Sequence, residues 1–140
     1  MELQMSKCVM VIDENLPIGL IANTAAILGT TLGKKRPDIL GEDFVDQAGN
    51  NHLGIVTTPI PILKGNKDLI KTIRNRLFEP EFKDLIVVDF SNIAQGCNSY
   101  PDFVKQMAQA QEEEIQYMGI GICGEKKKVN RLTGSMGLLR

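Results

Sequence analysis

The sequence predicts one α/β domain with three α/β/α layers, in which helices cover both faces of a mixed, mostly parallel sheet of about four strands. Unbroken apolar runs at residues 8–12 and 85–88 are typical of strands buried on both faces. Segments with helical spacing of apolar residues alternate with the strands, which favours helical connections between them. The length of 140 residues fits a single domain over residues 1–140.

Composition excludes several classes of protein. The 16 basic and 17 acidic side chains nearly cancel, so no overall field attracts nucleic acid. No apolar stretch approaches the ~20 residues of a membrane span, and the first residues do not resemble a signal peptide. The three cysteines are an odd number without a Cys-x-x-Cys pair, which argues against a disulfide framework and a zinc site. We therefore predict reduced thiols, a cytoplasmic location, no membrane association, no metal and no cofactor.

The first helix follows the first strand closely. Pro17 suits its first turn, apolar spacing extends it over residues 18–32, and Gly33 is expected to end it. Two stripes are predicted to face the sheet: Ile21, Ala25, Leu28 and Leu32, and the smaller residues Ala22, Ala26, Gly29 and Gly33. On this basis Ala26→Leu should push the helix off the sheet and cost about 1–3 kcal/mol.

The middle of the chain is less regular. Residues 43–45 and 52–56 are predicted to form a small hairpin around the polar turn at 46–51. A strand over residues 60–63 is expected near a sheet edge, because Pro59 and Pro61 cannot donate ladder hydrogen bonds. Asn66 then caps a helix that Pro80 stops, with apolar positions at Leu69, Ile70, Ile73 and Leu77.

The last part of the chain repeats the alternation. The strand at residues 85–88 is expected to end at Asp89, and a polar loop follows over residues 91–99. Ser99 and Asp102 form a capping-box pattern for the next helix. In the final strand, residues 115–122, glycines at 119 and 121 leave one face bare, which predicts close packing there. A short helix over residues 125–133 ends the fold.

Two segments resemble the type II peptidyl-tRNA hydrolases. Residues 7–26, KCVMVIDENLPIGLIANTAA, are similar to that family's opening strand and helix, and residues 118–139, MGIGICGEKKKVNRLTGSMGLL, to its closing strand and helix. Through the DENLPIG, PIPILKG and LTG segments, the whole chain is more similar still to the family called domain of unknown function 2000, which is grouped with the hydrolase fold. The resemblance implies the type II peptidyl-tRNA hydrolase fold. Function has to be argued from the residues of the site.

The chain departs from the hydrolase pattern where the chemistry would lie. The family's lysine-rich turn before its first helix is replaced by Pro-Ile-Gly-Leu-Ile at residues 17–21, and the helix carries no histidine. The acidic residue after the family's third strand is matched by Asp89, whereas Ser91 and the residues after it stand where the family has a threonine. Without those lysines, the chain lacks the positive side chains that would bind tRNA phosphates at this turn.

Candidate site residues follow from the rule that ligands bind beyond the carboxyl ends of parallel strands. If the strands that end near Ile12 and Val88 lie side by side and run the same way, the loops after them line one shared cavity. Asp89 and Asn23 are then candidate catalytic residues. Asp89 could also be a solvated strand end, and Asn23 could satisfy a buried backbone group. The candidate ligand-binding residues are Asp13, Asn15, Gly19, Thr24, Ser91 and Asn92.

Three further features admit a functional and a structural interpretation. His52, the only histidine, is more consistent with an exposed, inert side chain than with a general base. Cys97 needs a lowered pKa to act as a nucleophile, and a helix starting near Ser99 is its one candidate source. The basic residues of 126–128 and Arg131, extended by 34–36, could bind RNA or phosphate, but a solvated charged face is favoured.

Two functional hypotheses follow. The favoured one is a non-catalytic module that keeps the hydrolase-like fold and binds a small molecule or a partner, with a second copy of the chain as one candidate partner. The alternative is a hydrolase acting on an ester such as peptidyl-tRNA. In that case Asp89 orients water or a substrate amine, and Asn23 holds a carbonyl oxygen.

Overall fold

The computed structural model describes residues 5–140. The six strands are β1 Ser6–Asp13, β2 Phe44–Val45, β3 Asn51–His52, β4 Ile62–Gly65, β5 Ile86–Ser91 and β6 Tyr117–Glu125. The five α-helices are α1 Ile18–Lys35, α2 Lys67–Leu77, α3 Asn92–Gln95, α4 Tyr100–Gln109 and α5 Lys126–Thr133. Short 3-10 turns lie at Pro37–Ile39, Pro80–Phe82 and Glu112–Glu114.

Four strands form a mixed sheet in the order β4-β1-β6-β5. β1 and β4 pair in parallel, whereas β6 pairs antiparallel with both β1 and β5. β1 and β5 therefore run in the same direction, as expected, but they are not neighbours. The prediction that they lie side by side is wrong, because β6 lies between them. Of the three pairings only β1 with β4 is parallel, so the sheet is mixed rather than mostly parallel in its contacts.

Helices cover both faces of this sheet, as predicted. Leu28 and Leu32 of α1 pack in one core with Met10 and Ile12 of β1. The opposite core joins Val9 and Val11 of β1 to α2 and α5, through residues that include Ile70, Ile73, Leu77 and Val129. The alternation of side chains along β1 sends successive residues into these two cores, so both faces of the strand must be apolar.

The first helix is longer than predicted and uses a narrower face. It continues through Gly33 to Lys35, and its buried residues are Thr24, Leu28 and Leu32. The small-residue stripe does not all face the sheet, because Ala26 is exposed. The prediction that Ala26→Leu would push the helix off the sheet is therefore wrong, since the added side chain would extend into solvent.

The close packing predicted at the bare face of the last strand is confirmed. A Cβ built on Gly119 would lie 2.8 Å from Cγ2 of Thr24, and one on Gly121 would lie 3.1 Å from Cδ1 of Leu32. The glycines of β6 let α1 approach the sheet at its centre. Thr24 still satisfies its hydroxyl there by donating a hydrogen bond to the Leu20 carbonyl at 2.7 Å.

A disulfide links the two central strands, which corrects the prediction of reduced thiols throughout. Cys8 and Cys123 are direct cross-strand partners in the β1–β6 register and are bonded to each other. Cys97 is the free cysteine. The odd count was a poor guide because one of the three cysteines simply stays unpaired. The pairing depends on a register between strands 115 residues apart, and composition cannot show it.

Other boundaries shift by a few residues. β5 continues to Ser91, so Asp89 lies inside the strand rather than after it. The predicted caps at Asn66 and Ser99 are confirmed, since their side chains accept hydrogen bonds from the backbone N–H groups of Leu69 and Asp102. The hairpin is also confirmed, with β2 paired antiparallel to β3. In residues 5–140 no helix is long and apolar enough to cross a membrane.

The outer edge of β4 is covered by the C-terminal residues. Leu63 forms an antiparallel bridge with Leu138, the Leu139 N–H donates to the Ile62 carbonyl, and the Lys64 N–H donates to the Gly137 carbonyl. Because the C-terminal residues pair with this edge of β4, it is less available to pair with a strand of another chain. The final residues of the sequence thus belong to the fold.

Candidate functional site

A cavity of about 310 Å³ lies at the end of the sheet where β1 finishes. Segments from four parts of the chain meet there: the loop after β1, the start of α2, the junction of β5 with α3, and the start of β6. The lining residues of this β1-end cavity are Asp13, Asn15, Leu16, Lys67, Asn92, Gln116, Tyr117 and Met118. Three predicted ligand-binding residues, Asp13, Asn15 and Asn92, are therefore brought together.

Asp13 is the most buried charged residue of this group, with 4% of its surface exposed. Its Oδ1 accepts a hydrogen bond from the Asn15 backbone N–H at 3.0 Å, which shapes the turn after β1. Its other carboxylate oxygen has no hydrogen-bond partner among residues 5–140, yet no side-chain oxygen there is both fully buried and unsatisfied. That oxygen is thus available to a donor group in the cavity.

Lys67 places a positive charge on the same cavity. It is the first residue of α2, and Asn66 caps that helix through the Leu69 N–H at 2.9 Å. Lys67 is exposed and forms no ion pair or hydrogen bond with the described residues. The start of an eleven-residue helix also carries partial positive charge. The lining of the cavity therefore contains both a carboxylate and a cationic group.

Tyr117 places a phenol between two neighbouring cavities. It is 6% exposed and lines both the β1-end cavity and a larger neighbouring cavity that contains Asp89 and Arg74. Burial raises the pKa of Tyr117, and the nearby Asp89 carboxylate raises it further. Tyr117 therefore stays protonated at neutral pH and can donate a hydrogen bond.

Asn92 holds the cavity wall in place. Its Nδ2 donates to the Glu114 carbonyl at 3.0 Å, and its Oδ1 accepts from the Gln116 backbone N–H at 2.9 Å. With both groups engaged, Asn92 links the end of β5 to the chain entering β6. Its contribution to the cavity is mainly positional.

The two candidate catalytic residues lie on opposite faces of the sheet. The Asp89 Oδ2 accepts from Arg74 Nε at 2.8 Å, on the face covered by α2. Arg74 in turn stacks over the Phe78 ring, with 3.8 Å between the guanidinium carbon and the ring centroid. Asn23 is an exposed residue of α1, the helix on the other face. The structure does not bring Asn23 and Asp89 together.

The remaining predicted ligand-binding residues have structural surroundings. Gly19 is exposed in the first turn of α1 and lines none of the described cavities. Thr24 is fully buried against Gly119. Ser91 is 2% exposed, with its hydroxyl 4.0 Å from the Met107 sulfur. Among residues 5–140 there is also no cluster of three or more metal-ligating side chains.

Cys97 lies in a different cavity, of about 500 Å³, between β5 and α4. Desolvation raises the pKa of its thiol, and the Asp102 carboxylate raises it further. A thiol that stays protonated at neutral pH is a poor nucleophile. The helix start near Ser99 therefore does not activate it.

The predicted basic patch is partly neutralised within the fold. Lys128 pairs with Asp84 at 2.8 Å, and Arg131 pairs with Glu81. Arg36 forms an ion pair with Asp38 at 2.8 Å. Of this patch, Lys34, Lys35, Lys126 and Lys127 are exposed and form no ion pair or hydrogen bond with other residues of 5–140.

His52 is exposed, as predicted, but it has two partners in the hairpin. Its ring stacks on Phe44 with centroids 5.2 Å apart, and Nε2 lies 2.8 Å from Asp46 Oδ2. The other carboxylate oxygen of Asp46 accepts from the backbone N–H groups of Ala48 and Asn50. These contacts fix the hairpin turn.

Acidification is expected to loosen this turn only at low pH. The His52 side chain, followed by the backbone donors, lowers the pKa of Asp46 below its ordinary value of 3.8. The stabilisation is therefore complete above the unfolded-state value and is lost as pH falls through the lower folded-state value. The Asp46 carboxylate carbon shift, followed by NMR, should titrate with a midpoint below about pH 4. A midpoint above pH 5 for this carbon would contradict this assignment.

Sequence reasoning missed three polar residues of the β1-end cavity, Lys67, Gln116 and Tyr117, and the apolar Leu16 and Met118. Lys67 directly follows the helix cap at Asn66, so a helix start at the carboxyl end of β4 was a usable signal. Gln116 directly precedes the antiparallel strand β6 and Tyr117 begins it, so their position depends on β6 lying between β1 and β5. No pattern in the sequence reveals that insertion.

The fold and the cavity define a class: small three-layer α/β domains with a polar cavity at the end of a mixed sheet. The chain belongs to the DUF2000 family, described as proteins of unknown function, whose pattern matches residues 6–140. Protein of unknown function Atu0240 from Agrobacterium tumefaciens strain C58 has a similar structure, with a TM-score of 0.85 over 96% of this chain and 97% of that one. At 17% identity this likeness shows the fold alone. No curated protein matches the chain.

Proposed function

We propose that this protein is a non-catalytic module with a type II peptidyl-tRNA hydrolase-like fold, which binds a small polar molecule in the β1-end cavity. The observation that carries the proposal is Asp13, a nearly buried carboxylate that lines a cavity built by four chain segments and has one oxygen without a partner among residues 5–140. Burying a charge is costly unless it is paired. A ligand that supplies the missing donor would recover that cost.

The chemistry of the lining favours a zwitterionic ligand. Asp13 matches an ammonium or another charged donor, whereas Lys67 and the α2 amino terminus match a carboxylate or phosphate. Asn15, Gln116 and the protonated Tyr117 add neutral hydrogen-bonding groups. A cavity of about 310 Å³ is at the small end of ligand sites, which fits a compound of amino-acid size.

The hydrolase alternative receives less support. The Asp89 carboxylate is held by Arg74, and Asn23 lies on the other face of the sheet. A general base needs to reach the proton that it removes, and the Arg74 side chain already occupies one oxygen of Asp89. We therefore expect no hydrolysis of esters or peptidyl-tRNA that Asp89→Ala abolishes. Turnover that this substitution removes would favour the alternative.

Binding is tested by thermal shift and calorimetry against a panel of free amino acids, with their N-acetyl and amide derivatives. We expect at least one zwitterion to stabilise the native protein, and neither blocked form to do so, because each lacks one charge. Asp13→Asn keeps the acceptor for the Asn15 N–H and should abolish this effect. The matched control is Glu14→Gln, which removes an adjacent exposed carboxylate outside the cavity.

The outcomes separate clearly. Binding that survives Asp13→Asn, or is lost equally in Glu14→Gln, would overturn the role of Asp13. If no zwitterion in the panel binds, the proposed ligand class is wrong. Unchanged thermal melts of both unliganded variants would show that the substitutions act on binding rather than on folding.

A further inference from the structure

We propose that the hairpin arm, residues 40–57, joins two copies of this chain in a symmetric dimer by docking against the partner's lysine-bearing surface. The arm leaves the fold after the turn Pro37–Ile39 and contains β2 and β3. Ile39 is buried in the core, whereas the large apolar residues of the arm are all at least one-third exposed. They are Leu40, Phe44, Val45, Leu53, Ile55 and Val56.

The arm is ordered without a core of its own. At its base the Gly41 N–H donates to the Ile55 carbonyl, and the Thr57 N–H donates to the Ile39 carbonyl, both at 2.8 Å. Its two legs are so close that a Cβ on Gly54 would overlap the Gly41 carbonyl. A preformed arm loses little conformational entropy when it docks, so most of its contact energy is available for binding.

The exposed apolar area fits an interface. Leu53 is 80% exposed and Ile55 is 70% exposed. The six side chains together expose on the order of 600 Å² over the two sides of the arm, as much as the largest apolar patch on a typical soluble monomer. Two arms would bury on the order of 1,200 Å², the lower end of specific protein interfaces. Across a two-fold axis, the arm of each copy docks on the same surface of the other copy, so both arms are covered.

Charge points to a second copy as the occupant. The arm carries Glu42, Asp43 and Asp46, of which Asp46 is paired with His52, and residues 37–63 contain no lysine or arginine. The arm emerges at the end of the sheet where β1 begins, since Arg36 donates to the Ser6 hydroxyl at 3.2 Å. The four exposed lysines of the basic patch lie at this same end. Lys34 and Lys35 end α1, and Lys126 and Lys127 follow β6, whose last residue is paired with Ser6.

This arrangement is reciprocal. The acidic arm of one copy meets the lysines of the other, which fixes orientation while the apolar side chains supply most of the free energy. The β1-end cavity lies at the opposite end of the sheet, where Asp13 ends β1, so dimer formation leaves it open. The dimer and the ligand site can therefore be tested independently.

Sedimentation velocity of the full chain tests the proposal. We expect the native protein to sediment as a dimer at micromolar concentration and Leu53→Asp/Ile55→Asp as a monomer. Ile18→Asp is the matched control, because Ile18 is 85% exposed at the far end of α1. Both changes add charge at exposed apolar positions, and thermal melts check that each variant folds. A monomeric native protein, or a dimer that survives the double substitution, would overturn the proposal.

A second variant tests the charge contact. Replacing Lys34, Lys35, Lys126 and Lys127 by glutamate should weaken dimerisation at least tenfold, and added salt should weaken the native dimer in the same direction. A dimer of unchanged affinity in this variant would overturn the arm-to-lysine contact. If the native protein stays monomeric but the lysines retain RNA in a filter-binding assay, the lysine surface serves RNA instead of a second copy.

Discussion

Reduction of the Cys8–Cys123 disulfide is expected to lower the free energy of unfolding by about 3–5 kcal/mol. The bond closes a loop across a sequence separation of 115, which places it near the upper end of the loop-entropy scale. The two cysteines remain cross-strand neighbours after reduction, so the native sheet is expected to persist. The effect therefore comes mainly from a less restricted unfolded chain.

Urea unfolding with and without reductant measures this difference. Cys97→Ser is the appropriate background, since it removes the free thiol that could exchange with the disulfide. By itself this substitution should change stability little, because Cys97 is only partly buried. Mass spectrometry of the unfolded protein should show two alkylated cysteines after reduction and none before. Alkylation of both without reductant, or coincident unfolding curves, would contradict the prediction.

Gly121→Val is expected to destabilise the protein by about 3 kcal/mol. A Cβ at this position would lie 3.0 Å from Cγ1 of Val88 and 3.1 Å from Cδ1 of Leu32. The two γ-methyls of valine must enter the same space, between β5 and α1. Because Leu32 is fully buried, either α1 must move outward or the side chains of Leu32 and Val88 must adopt unfavourable rotamers.

Gly33→Ala is the matched control and should act in the opposite direction. Gly33 lies inside α1, and a Cβ there would meet no atom of residues 5–140 within 4 Å. Alanine should raise stability by about 1 kcal/mol through its helix propensity. Urea unfolding of both variants measures the contrast. Equal stability of Gly121→Val and the native protein would show that α1 does not pack closely on β6.

Local sequence patterns predicted most of the fold. The apolar runs located β1 and β5, since strands covered on both faces must be apolar on both. Asn66 and Ser99 marked helix starts because their side chains satisfy backbone N–H groups that nothing else nearby can reach. Gly119 and Gly121 indicated close packing before any partner was known. Each of these signals lies within a few residues of the feature that it determines.

The candidate site was predictable only in part. Asp13 ends β1 and Asn15 follows it, and both lie at the carboxyl end of that strand, as expected. The expectation that Asp89 shares their cavity assumed adjacent strands, and β6 separates β1 from β5. Asp89 also lies within β5, where strand alternation turns its side chain toward Arg74. Topology, rather than residue chemistry, separated these two acids.

Local propensity and hydrophobic period specify the α/β class, the helix caps, the hairpin and the polar loop after β1, so these features could be predicted from the residues. The strand order, the Cys8–Cys123 pair, and the cavity that Asp13, Lys67 and Tyr117 share are visible only in the folded chain. The two groups of features differ in sequence distance. Contacts between segments 50 or more residues apart depend on how the whole sheet assembles, and no local pattern encodes the register of a distant strand.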